Sequence, residues 1–304
     1  MLPIVWPIAA AAAGLAYASV YEVRAFTLRE VTVPVLAPGS APLRILHLSD
    51  THMTPGQRKK QDWLRRLADL KPDLVINTGD NLAHLDAVPS VLEAYGDLLD
   101  VPGAFVFGSN DYFSPKLKNP AGYLLPVRGA SEEQLRRKKD LPFEELRSAF
   151  TERGWTDLTN RHASINVAGR RLAFVGVDDP HLGYDVLDRT PADDAADLAI
   201  GVAHAPYLRV LDRWNSLGYP LIMAGHTHGG QLCLPFFGAL VTNCDLDRAR
   251  AKGLHRHQVD GHDPSWLHVS AGLGASPYAP VRFACRPEAT LLTLTGIDSP
   301  GSSQ

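Results

Sequence analysis

The stretch "LRILHLSDTH", residues 43–52, is apolar and strand-like until it stops at Ser49-Asp50-Thr51-His52. The same event recurs twice downstream. "DLVINTGD" (73–80) runs apolar to Gly79-Asp80, and "GAFVFGSND" (103–111) runs apolar to Gly108-Ser109-Asn110-Asp111. Between them lie "QRKKQDWLRRLADL" (57–70) and "VPSVLEAYGDLL" (88–99), whose apolar residues recur at helical spacing. A βαβαβ series of this kind needs parallel strands with helical crossovers, which places the chain in the α/β class.

The second half continues with less regularity. "ASINVAGRRLAFVGVDDP" (163–180) reads as two strands joined at Ala168-Gly169, "LAIGVAHAP" (198–206) as a strand and "YLRVLDRWNSLG" (207–218) as a helix. "PLIMAGHTHGG" (220–230), "SWLHVSAGLG" (265–274) and "EATLLTLTGI" (288–297) complete the strands, so parallel and hairpin pairings are both expected. Residues 114–140 interrupt the pattern with Pro, Gly and the run Arg136, Arg137, Lys138, Lys139. This insertion is either a solvated loop or a phosphate-facing lid. Residues 297–304 read as a disordered tail.

With 304 residues, 45% hydrophobic and 21% charged, the chain is long enough for one large globular domain, expected over 43–296. A formal net charge of −3 gives no general attraction for nucleic acid, and none is expected as a partner. Cys233, Cys244 and Cys285 are odd in number and lack CxxC spacing, and are read as reduced core residues.

Leu2–Tyr21 is a run of twenty residues without a charge, with Trp6 and Tyr21 near its ends. That length suits a membrane anchor, here assigned to residues 1–26. Arg24 and Arg29 follow the run and no Lys or Arg precedes it, which points the main domain to the cytoplasmic side of the cell membrane. A cleaved signal peptide, suggested by Ala16-Tyr17-Ala18, and an Ala-rich helix packed on the domain are the alternatives.

Strand after strand ends in a metal-ligand type: Asp50 and His52, Asp80, Asn110, His204, then His226 and His228. A crevice beyond the carboxyl ends of strands is where open α/β sheets bind ligands. Mixed carboxylate, imidazole and amide donors suit Mn, Fe or Zn, and seven ligands exceed one tetrahedral ion. With one carboxylate shared, they make two sites about 3.5–4 Å apart, the geometry of two-metal hydrolysis.

In order, "SDTH", "GDN", "GSND", "AHAP" and "GHTHGG" resemble the D-x-H, G-D, G-N-H-D, H and G-H-x-H blocks of the calcineurin-like metallophosphoesterase superfamily, over roughly residues 43–295. The N-terminal run and "SAGLGASPYAPVRFACRPEATLLTL" (270–294) resemble its bacterial membrane-associated branch. The resemblance implies a four-layer α-β-β-α sandwich of two mixed sheets flanked by helices, preceded here by a hydrophobic helix. It further implies that Asp50, His52 and His228 hold one divalent ion, that His204 and His226 hold another, and that Asp80 bridges them. A bridging hydroxide would then attack a phosphoester or pyrophosphate bond, with Asp80, His204 and Asn110 closest to the chemistry. Gly79, Gly225, Gly229 and Gly230 would supply turns at positive φ.

The chain departs from the family at 108–111, where Ser109 stands in place of Asn and Asn110 in place of His. In one reading the turn shifts by a residue and the Asn110 amide oxygen binds the second ion. In the other, Ser109 or a water fills that position and Asn110 faces the phosphate. The first keeps an amide ligand and is preferred. Both remove a histidine acid, for which His84 or His181 is a candidate substitute, although each reads first as a structural histidine. The expected function is hydrolysis of a phosphorylated small-molecule or lipid-linked substrate at the membrane. The alternative is a membrane-attached binding module that has lost turnover.

Overall fold

The computed structural model describes residues 9, 12–117, 129–234 and 236–297. The chain forms β1 (Thr27–Leu36), β2 (Leu43–Leu48), β3 (Leu74–Asn77), β4 (Gly103–Phe105), β5 (Thr156–Asp157), β6 (Arg161–Val167) and β7 (Arg170–Gly176). There follow β8 (Leu198–Val202), β9 (Leu221–Ala224), β10 (Cys233–Leu234), β11 (Gly238–Ala239), β12 (Gly253–His257), β13 (Ser265–Val269) and β14 (Glu288–Gly296). One sheet has the order β1-β14-β2-β3-β4-β5 and the other β12-β13-β9-β8-β7-β6, while β10 and β11 pair as a separate hairpin.

Both sheets are mixed. From β2 to β5 the strands run parallel, β14 lies antiparallel to β2, and β1 pairs in parallel with β14 at the edge. In the second sheet β7, β8, β9 and β13 are parallel, flanked by antiparallel β6 and β12. Ala168 and Gly169, at φ 48° and 76°, close the β6–β7 hairpin, a conformation that matches the twist of the strands it joins.

Three apolar clusters set the layers. Ile45, Ile76 and Leu292 of the first sheet meet Phe174, Ile200 and Met223 of the second between the sheets. On the outer face of the first sheet, Leu46, Val75 and Phe105 pack against the helices Arg58–Arg65, Val88–Tyr95 and Phe143–Glu152 through Leu64, Val91 and Phe150. Ala199 and Ile222 of the second sheet pack under Val210, Leu211 and Trp214 of the helix Leu208–Ser216. The first two helices are shorter than their periodic stretches, because each passes into a 3-10 turn, Arg66–Leu70 or Gly96–Asp100. Strand β1, which sequence reading left outside the domain's expected start at 43, joins the first sheet.

The expected N-terminal hydrophobic helix is described only in part, over residues 9 and 12–24. No helix among the described residues is long and apolar enough to cross a membrane. Residues 12–16 are α-helical, but the winding widens to a π-turn at Tyr17–Tyr21 and tightens to 3-10 at Glu22–Arg24. The chain then turns into β1. This short piece packs on the domain: Ala18 is buried, and the Glu22 carboxylate accepts from the Cys285 amide at 2.5 Å. Residues 1–8, 10 and 11 of the expected anchor, 118–128 of the insertion and 298–304 of the expected tail lie outside the described residues.

The ends of the insertion are pinned together, since Ser114 donates to Asp140 through its amide (2.8 Å) and its hydroxyl (2.6 Å). Its basic run divides. Arg137 lies over Phe113, Lys139 lies 3.7 Å from the Tyr112 ring centroid, and Arg136 pairs with Glu132. The three cysteines are free and buried, as expected.

Candidate metal centre and active site

The parallel strands end in step, and that places the ligands. Leu48, Asn77 and Phe105 lie abreast in β2, β3 and β4, and Val202 and Met223 lie abreast in β8 and β9. Two or three residues beyond those ends stand Asp50, Asp80, His204 and His226. The loops there continue to be laced, with the Asp50 amide donating to Gly79 O (2.8 Å) and the His52 amide to Asp80 O (2.9 Å).

The candidate ligands themselves take up the sharp turns. Asp50, His52, Asp80, His226 and His228 all have positive φ, between 43° and 69°. Non-glycine residues seldom adopt this region, and strain of about 1–3 kcal/mol each persists where function and packing over-determine it. Gly79 also has positive φ, as expected, whereas Gly225 does not. At Gly225 the requirement is contact: a Cβ there would overlap Ser49 Oγ and Asp50 Oδ2.

Asp50, His52, Asp80 and His228 bring one donor atom each to within 4.8 Å of one another, all buried. His52 Nε2 and His228 Nε2 face each other at 3.3 Å. Asp50 Oδ1 is 3.6 Å from His228 Nε2 and, though buried, has no hydrogen-bond partner. A second convergence shares Asp80. Its Oδ2 lies 3.5 Å from His52 Nε2 while Oδ1 lies 3.5 Å from His204 Nε2, which faces His226 Nδ1 at 3.3 Å.

The outer nitrogens fix the tautomers. His204 Nδ1 meets Thr78 O at 2.7 Å, His226 Nε2 meets Asn243 O at 3.2 Å, and His228 Nδ1 meets Gly274 O at 3.1 Å. A carbonyl only accepts, so the outer nitrogens of His204 and His226 carry a proton, as does that of His228 where it meets Gly274 O rather than Arg282 Nη2 at 3.2 Å; each inner nitrogen is then the one that can present a lone pair once deprotonated. Inner nitrogens facing one another across 3.3 Å, beside an orphaned carboxylate oxygen, fit a cation between them once they give up their protons.

Behind Asp50 runs a one-way chain of donors between the sheets. Ser49 Oγ donates to Asp50 Oδ2 at 2.5 Å and accepts from Thr78 Oγ at 2.7 Å. Thr78 therefore accepts from His47 Nε2 (3.0 Å), and His47 Nδ1 accepts from His268 Nδ1 (2.8 Å). Burial keeps both imidazoles well below their ordinary pKa, hence neutral, which the chain requires.

Burial also shapes the ligands' protonation. It pushes the Asp50 carboxyl up to about 6 and depresses His226 and His228. At Asp80 burial is outweighed by His204, His52 and two bonds from Asn110, and the carboxyl stays well below its usual range. Burial would lower His204, but Asp80, Asp179 and Asp50 outweigh it and raise the imidazole to about 9.

The departing turn at 108–111 lies against this centre. Asn110 donates to Asp80 twice, from its amide to Oδ1 and from its side-chain Nδ2 to Oδ2, each at 2.7 Å. Ser109 is buried on the same cavity wall. Asp111, which sequence reading did not single out, ties the loops: its carboxylate accepts from the amides of Gly108 (2.9 Å), Asp80 (2.8 Å) and Asn81 (2.8 Å).

A cavity of about 500 Å³ opens over the centre, lined by His52, Asp80, Asn110, His226 and His228, with Lys116 and Arg137 from the insertion. His181 lines it too, its ring centroid 4.6 Å from that of His226 and its Nδ1 3.0 Å from the Tyr207 hydroxyl. His84 does not reach the cavity; it is half-exposed and 3.7 Å from Asp86. Arg282 is a further group that pattern reading missed. Its wholly buried guanidinium donates to Ala271 O, Gly272 O and Gly274 O, and so braces the carbonyl that holds His228.

Comparison with known proteins agrees with this geometry. The sequence model of the calcineurin-like phosphoesterase family matches residues 43–230. The chain is 27% identical over 258 residues to the uncharacterized metallophosphoesterase YkoQ of Bacillus subtilis, covering 83% of this chain and 84% of that protein. It is 27% identical over 296 residues to the phosphodiesterase YaeI of Escherichia coli, covering 94% of each. Among solved structures, TT1561 of Thermus thermophilus aligns at a TM-score of 0.41 and 11% identity, over 77% of this chain and 91% of that one. With more than half its length matched and the metal-ligand cluster in place, the chain belongs to the calcineurin-like phosphoesterase family.

Proposed function

We propose that the protein hydrolyses a phosphodiester bond at a pair of divalent ions. The observation that carries this reading is the Asp80 carboxylate, whose two oxygens face different histidines, His52 and His204, at 3.5 Å each. Asp50, His52 and His228 would hold one ion, and His204, His226 and the Asn110 side-chain oxygen the other, with Asp80 shared between them. When bound, two such ions supply a nucleophile from water at neutral pH and take up charge on the phosphoryl oxygens. The chain's own residues do the remaining work. Backbone carbonyls hold His204, His226 and His228 in the ligating tautomer, Ser49 orients Asp50, and Lys116 and Arg137, paired with Glu133 and Asp140, stand on the cavity wall where an anionic ester would meet them. The name of the Escherichia coli relative supports a diester as the substrate class.

The uncharged run Leu2–Tyr21 supports attachment to the cell membrane, and with it a lipid-linked phosphorylated substrate; Arg24 and Arg29 favour the cytoplasmic face. The test of the catalytic reading is metal content with turnover. The purified protein loaded with Mn²⁺ should hold two ions per chain and cleave bis(p-nitrophenyl) phosphate, and Asp80→Ala should lower both metal content and rate, the rate by roughly 10³-fold or more. One tightly held ion with full activity would remove the two-ion reading.

A further inference from the structure

Beyond the loop that carries His226 and His228, the described protein exposes an apolar tip. Phe236 is fully solvent-exposed between β10 and β11, beside Phe237 at 61% and Leu234 at 49%. Its φ of 68° is one that a bulky side chain rarely takes. The tip is also bordered by charge, with the Arg248 guanidinium 5.1 Å from the Phe237 ring centroid.

The hairpin shares its foundation with the N-terminal segment. Leu232 bridges to Phe283, and the Cys233 amide donates to Phe283 O at 2.9 Å. The Phe283 ring meets Tyr17 edge-on at 6.3 Å, and the Arg282 amide donates to Ala18 O at 3.0 Å. From this foundation the segment exposes Leu15, Tyr17, Val20 and Tyr21. Its Ser19 hydroxyl donates to Leu15 O at 2.7 Å, and Arg24 closes it by donating to Val20 O at 2.8 Å.

We infer that Leu234, Phe236 and Phe237 enter the interfacial layer of a lipid bilayer with anionic headgroups, beside the N-terminal segment. Exposed aromatic and aliphatic side chains at a hairpin tip, bordered by arginine, match the acyl boundary and the headgroup layer in turn. A second copy of the chain could also cover apolar atoms. The bilayer is favoured because the uncharged run Leu2–Tyr21 ends on the same foundation, with Arg24 at its border as Arg248 is at the hairpin's. The inference rests on the membrane attachment proposed above and is independent of the catalytic reading.

The full chain is mixed with vesicles of phosphatidylcholine and phosphatidylglycerol whose acyl chains carry bromine. Phe236→Trp should add quenching to that of the wild-type chain, whose five tryptophans include Trp6 in the uncharged run. Replacing Leu234, Phe236 and Phe237 together by Ser should weaken vesicle binding at least roughly tenfold, with hydrolysis of a soluble diester unchanged. Co-sedimentation without added quenching would overturn the role of the tip and leave attachment standing. Absence of co-sedimentation would overturn both. Loss of a dimer in the triple variant, with vesicle binding intact, would assign the tip to a second copy and overturn the inference.

Discussion

At the scale of single residues, the centre depends on groups that never touch an ion. Ser49 holds the outer oxygen of Asp50, so Ser49→Ala should weaken Mn²⁺ binding by about 10–100-fold, as outer-shell losses do, while leaving the fold intact by circular dichroism. Titration calorimetry measures it. Protonation makes a second expectation. Without metal, His204 keeps its proton up to about 9 and Asp50 up to about 6, whereas both must give up protons to ligate. Metal uptake therefore releases protons, and affinity should rise with pH across the window from about 6 to about 9. Calorimetry in buffers of different ionisation enthalpy gives the proton count; an affinity flat over that window would contradict it. The strand-end ligands were legible in the sequence because a polar residue closing an apolar run is a local event. His47 and His268 were not, since their pairing joins residues 221 apart across two sheets. Arg282 was hidden for a similar reason: its partners are carbonyls, which carry no sequence signal.

At the scale of elements, the turn 108–111 combines a departure from the family's pattern with a strong anchor. Its Asp111 satisfies three buried amides, so Asp111→Ala should cost about 2–5 kcal/mol, read as a lower urea midpoint. Asn110 is set against Asp80 by that anchor. The sequence made the alternation of strands and helices legible through period alone. It did not reveal β1 or β12, whose residues read as polar edges: β1 buries only Val33 and Leu36, and β12 is mostly half-buried. The short pairs β5, β10 and β11, two residues each, leave no period to detect. At the N-terminus the composition of Leu2–Tyr21 was legible, but not its local winding, because π- and 3-10 turns answer to packing at Ala18 and Glu22.

At the scale of the whole molecule, the centre sits where both sheets end, so an ion there ties the two halves of the chain together. Mn²⁺ at about a hundred times its dissociation constant should add about 2.7 kcal/mol of stability, roughly 5 °C in Tm, and a chelator should reverse it. Differential scanning fluorimetry with and without EDTA measures this. The position of β14 carries a further consequence, for the order of synthesis. The last strand among the described residues lies inside the first sheet, between β1 and β2, and the loop just before it supplies Gly274 O and Arg282 to the wall behind His228. A nascent chain that has already extended all its metal ligands still lacks the strand that closes its sheet and the carbonyl that sets the His228 tautomer. Assembly of a competent centre therefore waits for residues 271–296 to leave the ribosome, and a chain cut short after residue 270 holds the candidate ligands without the carbonyl that orients His228.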